Sequence, residues 1–474
     1  MRLGLLLSSR PRMSTPPLHP VRAELRALGR LAAPLAAAQA GQALMGVVDT
    51  AVVGRAGAVS LAGVGLGNAL FFTVAVIGIG LMMGLDPLIA QAFGAGDAPR
   101  ARKLLWQGCS LSVIAAAALA LLLALLTLGL VPLGVEPAVA EVATTFVLWR
   151  LPGLPFLFLY VGGRAYLSSA GHARPMVVAT VMANLLNLPL SVLLVFGGEV
   201  LPAWAGPLRL LPALGGGGAA ISSSLSLVLQ SAILFAAVRG VPATPVPAQA
   251  RRPDRAELGR AVRIGLPAGL HMVVEVAFFA LASLLAARLG AEPMAAHQLA
   301  LSLATLTFTV AIGIGNAGSI RVGFCVGSRD RPGARRAGLT ALGAAAGFMA
   351  CTGLLFVAVP GVLARLMTDD PAVAAAAIPL LRVAAVFQVF DGLLGAGAGV
   401  LRGAGVTRFT LGANLVGHWL LGAPALLFLV FGLGLGVVGL WWGFVVGLVS
   451  VSAALVWRFL RLSSREIAPL ASTH

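Results

Sequence analysis

"HMVVEVAFFALASLLAAR", residues 271–288, reads as an apolar helix with one acid, Glu275, set among valines and phenylalanines. A charge near the centre of a bilayer costs on the order of 3 kcal/mol on insertion scales, so it usually faces a wet cavity or a partner. The surroundings of this stretch decide what kind of helix it is. Hydrophobic residues make up 59% of the 474 and charged residues 10%, with a mean hydropathy of +0.97. That balance is far from a soluble domain's. Apolar runs of about 20 residues recur along the whole chain, each able to cross roughly 30 Å of hydrocarbon as a helix.

Working outward from 271–288, Gly, Pro and Arg separate twelve such runs. They lie near 31–54, 60–85, 104–131, 140–163, 175–197, 214–238, 262–287, 295–320, 338–363, 373–400, 408–431 and 434–458. The net charge of +17 would suggest nucleic acid in a soluble protein. Here the arginines fall in the gaps between apolar runs, so charge reports orientation and no nucleic-acid partner is expected. They cluster before the first run (Arg22, Arg26, Arg30), after the second (Arg100, Arg102), around the fourth connection (Arg164, Arg174), and after the sixth, eighth and twelfth. By the positive-inside rule those sides and both termini are cytoplasmic, in a multi-pass protein of the cell (inner) membrane.

The stretch also has a counterpart. At a constant shift of 233, Pro34 meets Pro267, Arg55 meets Arg288, Gly57 meets Gly290, Gly80 meets Gly313, Gly94 meets Gly327 and Asp97 meets Asp330. Six helices plus six, inserted the same way up, predict two lobes related by a pseudo-two-fold along the membrane normal, as in many secondary transporters. The expected fold is all-α integral membrane: a segment 1–30, an amino-terminal lobe 31–238, a linker 239–260, a carboxyl-terminal lobe 261–459 and a tail 460–474.

Cys109, Cys325 and Cys351 are isolated and make no disulfide or metal spacing. The opening "MRLGLLLSSRPRMSTPP" mimics a signal peptide with too short an apolar core, and Met1 and Met13 are both candidate starts. "GVGLGN" at 63–68 and "GAGAGVLRG" at 395–403 look like nucleotide loops, yet they follow no strand and suit close helix packing better. The run Gly215–Gly218 reads as the entry to the sixth helix. No Walker lysine, H-E-x-x-H or G-x-S-x-G is present, so neither ATP use nor an enzyme is expected.

"GQALMGVVDTAVVGRAGAVSLAGVGLGNAL", "GLDPLIAQAFGAGD", "EVAFFALASLLAARLGAEPMAAHQLALSL" and "FQVFDGLLGAGAGVLRGAGVTR" resemble the multidrug and toxic compound extrusion (MATE) transporters from about residue 25 to 460. The resemblance implies twelve helices in two lobes. It also implies export of cationic amphipathic compounds against inward Na⁺ or H⁺, with no cofactor beyond that coupling ion. Glu275 and Asp391 match the family's carboxyl-lobe cation site, and Asp49 its amino-lobe acid. Asn187 and Ser223 fall where the family sets a site asparagine and threonine. Ser191 replaces an acid or amide, and Phe387, one turn before Asp391, replaces a frequent tyrosine. Either acid group could hold Na⁺: Glu275 with Asp391, or Asp49 with Asn187 and Ser223.

Each assignment has a plainer rival. Glu275 could be a protonated, hydrogen-bonded structural residue, and Phe387 could be core. Asn184 and Asn187, three apart on one helix face, could serve interhelical hydrogen bonds, as could Ser223. Solvation near the helix end is the expected account of His271, with pairing to Glu275 one turn on as the alternative. Asp86, beside Pro87, reads as structural at a helix break. The deep residues read as mainly acidic, which suits organic cations and disfavours the chief rival, a lipid-linked saccharide flippase with a basic cavity. A membrane-embedded enzyme and a passive channel are further alternatives. Since each chain carries its own pathway, a monomer in the bilayer is expected.

Overall fold

The computed structural model describes residues 20–242, 248–465 and 467–470. Both candidate starts and residues 243–247 of the expected linker lie outside the described residues. Among the described residues, twelve helices are long and apolar enough to cross a membrane. In chain order they are α1 (Val21–Gly54), α2 (Ala58–Gly94), α3 (Ala98–Leu128), α4 (Pro137–Ser169), α5 (Arg174–Phe196) and α6 (Gly215–Arg239). The second six are α7 (Arg255–Arg288), α8 (Ala291–Gly327), α9 (Arg331–Ala358), α10 (Pro371–Gly403), α11 (Thr407–Gly432) and α12 (Gly436–Ser463).

Several helices outrun their hydropathy boundaries: α1 begins near 20 where 31 is predicted, and α7 begins at Arg255 where 262 is predicted. Hydropathy falls as soon as arginines appear, whereas a helix goes on satisfying its backbone through turns whose side chains reach water. Caps fix several of the true ends. Asp97 accepts from Arg100 N and Asp330 from Gly333 N at 2.9 Å each, so the loops after α2 and α8 end alike, 233 residues apart.

Three departures from regular helix are absent from the hydropathy pattern. α2 is interrupted at Gly84, between Ala58–Met83 and Leu85–Gly94. α4 tightens into a 3₁₀ turn over Leu151–Gly153. α11 carries π-helical segments over Leu415–Gly422 and Phe428–Gly432. The predicted ninth span stops at Ala358, and Pro360–Met367 forms a separate short helix because proline cannot donate to the preceding turn.

The halves meet as the repeat requires. α1 packs on α8 and α2 on α7, contacts that exchange under the 233-residue shift, while α2 and α8 pack on each other. The seam is backbone on backbone. A methyl group at Gly80 would collide with Gly269, and one at Gly313 would lie 2.7 Å from Ala36. Gly94 is closed off by Phe324 and Gly327 by Gln91, again positions 233 apart. Glycine there lets helix axes approach closely, as small residues do between membrane helices.

At the end where α1 begins and α12 finishes, the seam is also charged. Glu24 of α1 pairs with Arg321 of α8 at 2.7 Å, and Arg100 of α3 with Glu257 of α7 at 3.6 Å. Lys103, the chain's sole lysine, pairs with Asp254 at 2.6 Å. Glu24 and Glu257 are again 233 apart. The outer faces are apolar: Leu121, Leu125 and Leu354 are all more than half exposed, as a lipid-facing surface requires.

Within each lobe the "nucleotide" glycines serve packing. Gly63 and Gly67 of α2 sit against Val142 and Phe146 of α4, and Gly399 of α10 against Gly315 of α8. Gly215, at φ +52°, opens α6, and Gly218 leaves room for the Leu194 carbonyl.

Candidate functional site

Away from the clasped end the lobes enclose a cavity of about 540 Å³. It follows α2 from Leu61 to Met83, about 33 Å of helix at 1.5 Å per residue. Its walls pass from buried residues at one end, Met83, Arg164 and Arg402, to exposed ones at the other, Thr50, Leu61 and Asn68. The cavity therefore closes toward the clasped end and opens on the opposite side.

Asp49 of α1 and Ser223 of α6 both line it. Ser223 Oγ donates to Asp49 Oδ2 at 2.5 Å. Asn187 Nδ2 of α5 donates to Oδ1 at 3.1 Å, and Ser191 Oγ approaches the same oxygen at 3.4 Å. Asn187 Nδ2 also reaches Ser222 Oγ at 3.2 Å, and Ser222 Oγ donates to the Asn187 carbonyl at 3.0 Å. Spacing explains the convergence. Asn187 and Ser191 are one turn apart on α5, and Ser222 and Ser223 present adjoining faces of α6. Asn184 is not part of this cluster: its amide donates to Gly41 O at 3.0 Å and Thr180 O at 2.9 Å, tying α5 to α1.

In the other lobe Glu275 and His271 of α7 line the cavity, with His271 Nε2 to Glu275 Oε2 at 3.9 Å. That is too long for a hydrogen bond. His271 is 6% exposed, so solvation near a helix end does not hold; the early start of α7 places it two turns deeper than hydropathy suggests. Asp391 of α10 is buried behind Glu275, within reach of its charge, and does not line the cavity. Nor does Phe387, which sits in an aromatic core against Trp441 (5.3 Å), Phe444 (6.0 Å) and Phe279 (6.2 Å). Core packing accounts for Phe387.

The expectation of a mainly acidic interior needs correction. Asp49 and Glu275 line the cavity beside three arginines, Arg150, Arg164 and Arg402. Arg150 of α4 lies 4.8 Å over the Phe71 ring and 5.5 Å over Phe146, within reach of the Asp49 charge. Arg164 belongs to α4 itself rather than to the connection after it. Arg402, from the last turn of α10, pairs with Asp86 across the seam at 3.4 Å, just past the break at Gly84.

Arg150 and Arg402 are what sequence reasoning missed, while Arg164 already stands out in the sequence as a basic residue near a helix end. Counting basic residues as topology markers hides one that sits inside a span, although Arg150, midway along the predicted 140–163 run, is as costly there as any acid. Among the described residues no group of three or more His, Cys, Asp or Glu side chains converges as a metal site. A cation beside Asp49 would therefore draw on asparagine and serine oxygens.

Known proteins resemble the chain along nearly its whole length. The MatE family profile matches residues 34–193 and 267–428, two stretches whose starts stand 233 apart. The multidrug resistance protein NorM of Burkholderia vietnamiensis is 35% identical over 447 residues, covering 93% of this chain and 95% of that protein. Multidrug resistance protein PmpM of Pseudomonas aeruginosa is 31% identical over 460 residues, covering 94% and 93%. Among solved structures, an outward-facing conformation of a multidrug resistance MATE family transporter of the MOP superfamily superposes with a TM-score of 0.82 at 22% identity, covering 93% of this chain and 96% of that one. The eukaryotic MATE transporter AtDTX14 gives 0.81 at 22%, with the same coverage. At such identity these two structures speak for the fold.

Proposed function

Because the chain belongs to the MATE family, we propose that it is a secondary active multidrug exporter, releasing cationic amphipathic compounds in exchange for an inward ion by alternating access. It needs no cofactor beyond that ion and works as a monomer in the cell membrane, with both termini cytoplasmic. The observation that carries the reading is Glu275: a carboxylate in the wall of a cavity between two lobes, with no hydrogen bond among the described residues. A carboxylate so placed is stabilised by whichever cation reaches it.

Glu275 is the carboxylate over which substrate and coupling ion compete. Proton coupling suits it best, since no hydrogen bond among the described residues engages it and His271 stands 3.9 Å away. A sodium ion suits Asp49 only if Asn187 turns its amide, so that Oδ1, buried and unpartnered as it stands, faces the carboxylate. Asp391 is buried within reach of the Glu275 charge and outside the cavity wall. Ion binding drives export only through a higher affinity for one lobe arrangement than for the other. The rocking it drives has few places to act: the lobes touch along the glycine seam and the charged rim, and part around the cavity.

The test is uphill efflux of ethidium from reconstituted vesicles under pH and Na⁺ gradients imposed separately. Export against the ethidium gradient under at least one of them is expected. Movement only down the ethidium gradient would make the protein a passive channel and defeat the reading.

A further inference from the structure

At the clasped end the chain beyond α12 folds back onto the protein. Arg331 of α9 donates through Nη2 to the carbonyl of Ser464, the residue after α12, which ties the start of this tail to its own lobe. Residues 467–470 then reach the other lobe. The Leu470 N–H donates to Gln91 Oε1 of α2 at 2.8 Å. Gln91 is 5% exposed, and its Nε2 donates to the Gly403 carbonyl at the end of α10 at 3.2 Å. One buried amide of the amino-terminal lobe therefore holds the tail by its oxygen and α10 by its nitrogen. The Leu470 side chain lies over the turn after α10, where a methyl group on Gly405, at φ +79°, would stand 2.7 Å from Leu470 Cδ2. Ile467 and Leu470 are half-buried against the main core. Beside them a small cavity of about 50 Å³ is bordered by Pro469 and Leu470, by Ala92 and Arg100 of the amino-terminal lobe, and by Gly327 of α8.

We propose that residues 467–470 are an interlobe strap, which holds the clasped end shut by bridging Gln91 of one lobe to Gly405 of the other and must release Gln91 whenever the lobes part there. The strap rests on the alternating access of the export reading and adds a conformational device to it. A link present in one lobe arrangement and absent from the other lowers the free energy of the first alone, so it biases the equilibrium toward closure at this end. Its donor is backbone, so among side chains only proline at position 470 removes it. Its two elements, a neutral hydrogen bond and a leucine contact, are little screened by salt, unlike the ion pairs around it.

Cys325 can report the closure. It lies one turn beyond Arg321 on α8, is 6% exposed, and stands within reach of the Glu24 charge of α1. In a Cys109→Ala, Cys351→Ala background, its alkylation by N-ethylmaleimide in detergent measures how often the clasped end opens. Deleting residues 467–474 is expected to raise that rate about tenfold, the order of one net hydrogen bond with part of a leucine's burial. Leu470→Pro, which keeps the chain at full length and removes the donor, is expected to give most of the same rise, and the ratio to the parent is expected to persist at high salt. In a Gln91→Leu chain, deleting the tail should add little, because the two changes break the same contact. No rise in Leu470→Pro, whatever the deletion does, or a rise that vanishes at high salt, overturns the strap. Alkylation needs no gradient, so it can fail while ethidium export stands, and ethidium export can fail while alkylation responds to the tail.

Discussion

Asp49 and Glu275 face the same cavity from opposite lobes, yet Asp49 has three side-chain donors within 3.4 Å while Glu275 has only the 3.9 Å approach of His271. Behind Asp49 stand polar residues of α5 and α6; behind Glu275 stand Asp391 and an aromatic core of Phe278, Phe279, Phe387, Trp441 and Phe444. Duplication gave both lobes the same frame and left the chemistry free to diverge. The repeat partner of Glu275 is Gln42, a cavity-lining amide that donates to Gln230 at 2.7 Å. An acid supplied with donors helps to hold its lobe together. One without them is available to a mobile cation.

The largest effect that could break this contrast is on transport. Glu275→Gln should reduce ion-driven ethidium efflux to the level of protein-free vesicles while leaving the folded yield unchanged. Efflux at the wild-type rate would remove Glu275 from the exchange. Asp49→Asn should act on stability as well, because it leaves three donors and the Arg150 guanidinium without their anion. Leaving buried donors without their charged acceptor costs about 1–3 kcal/mol, measurable as an early unfolding transition in detergent.

The seam offers a sharper comparison of like with like. Gly80→Ala and Gly313→Ala, equivalent by the repeat, should each destabilise the closed end by about 1–3 kcal/mol, the usual result of overpacking. Cross-linking between cysteines placed on α2 and α7, or on α1 and α8, would report it. Strongly unequal effects would mean that the halves do not share the closure. The smallest effect is expected at the rim. The hydrogen bond from Lys103 holds the Asp254 carboxyl below its usual range. A lowered folded-state value means that this contribution is present above the ordinary carboxylate range and fades as pH falls through the lowered one. Asp254→Asn should flatten that acid limb slightly in a thermal-shift series, since exposed pairs are worth little.

Much of this architecture is legible in the residues. Twelve apolar runs and a gapless 233-residue repeat, Pro34 with Pro267 through Asp97 with Asp330, give the helices, the lobes and the paired seam contacts. Asn187 and Ser223 fall beside Asp49 because helical spacing fixes which side chains share a face. What escapes is whatever depends on how neighbouring helices meet. The break at Gly84, the π turns of α11 and the burial of His271 carry no hydropathy signal. Arginine is ambiguous for the same reason: Arg22 lies at an exposed helix end and Arg402 beneath a cavity, and only packing between lobes separates them. Asp391 and Phe387 read as site residues through the resemblance, while the packing of α10 sets both outside the cavity wall.

A joint of bare glycine backbone has a kinetic consequence. Where its glycines meet, no side chain has to leave one socket and find another when the bundles part, so resistance along the seam comes from the few polar links that cross it, such as Asp86 with Arg402 and Gln91 with the Gly403 carbonyl. The slow element is then the ring of ion pairs at the clasped end, Glu24 with Arg321, Arg100 with Glu257 and Lys103 with Asp254. Turnover limited in this way should quicken as added salt weakens those contacts, until the outermost clasps no longer set the pace.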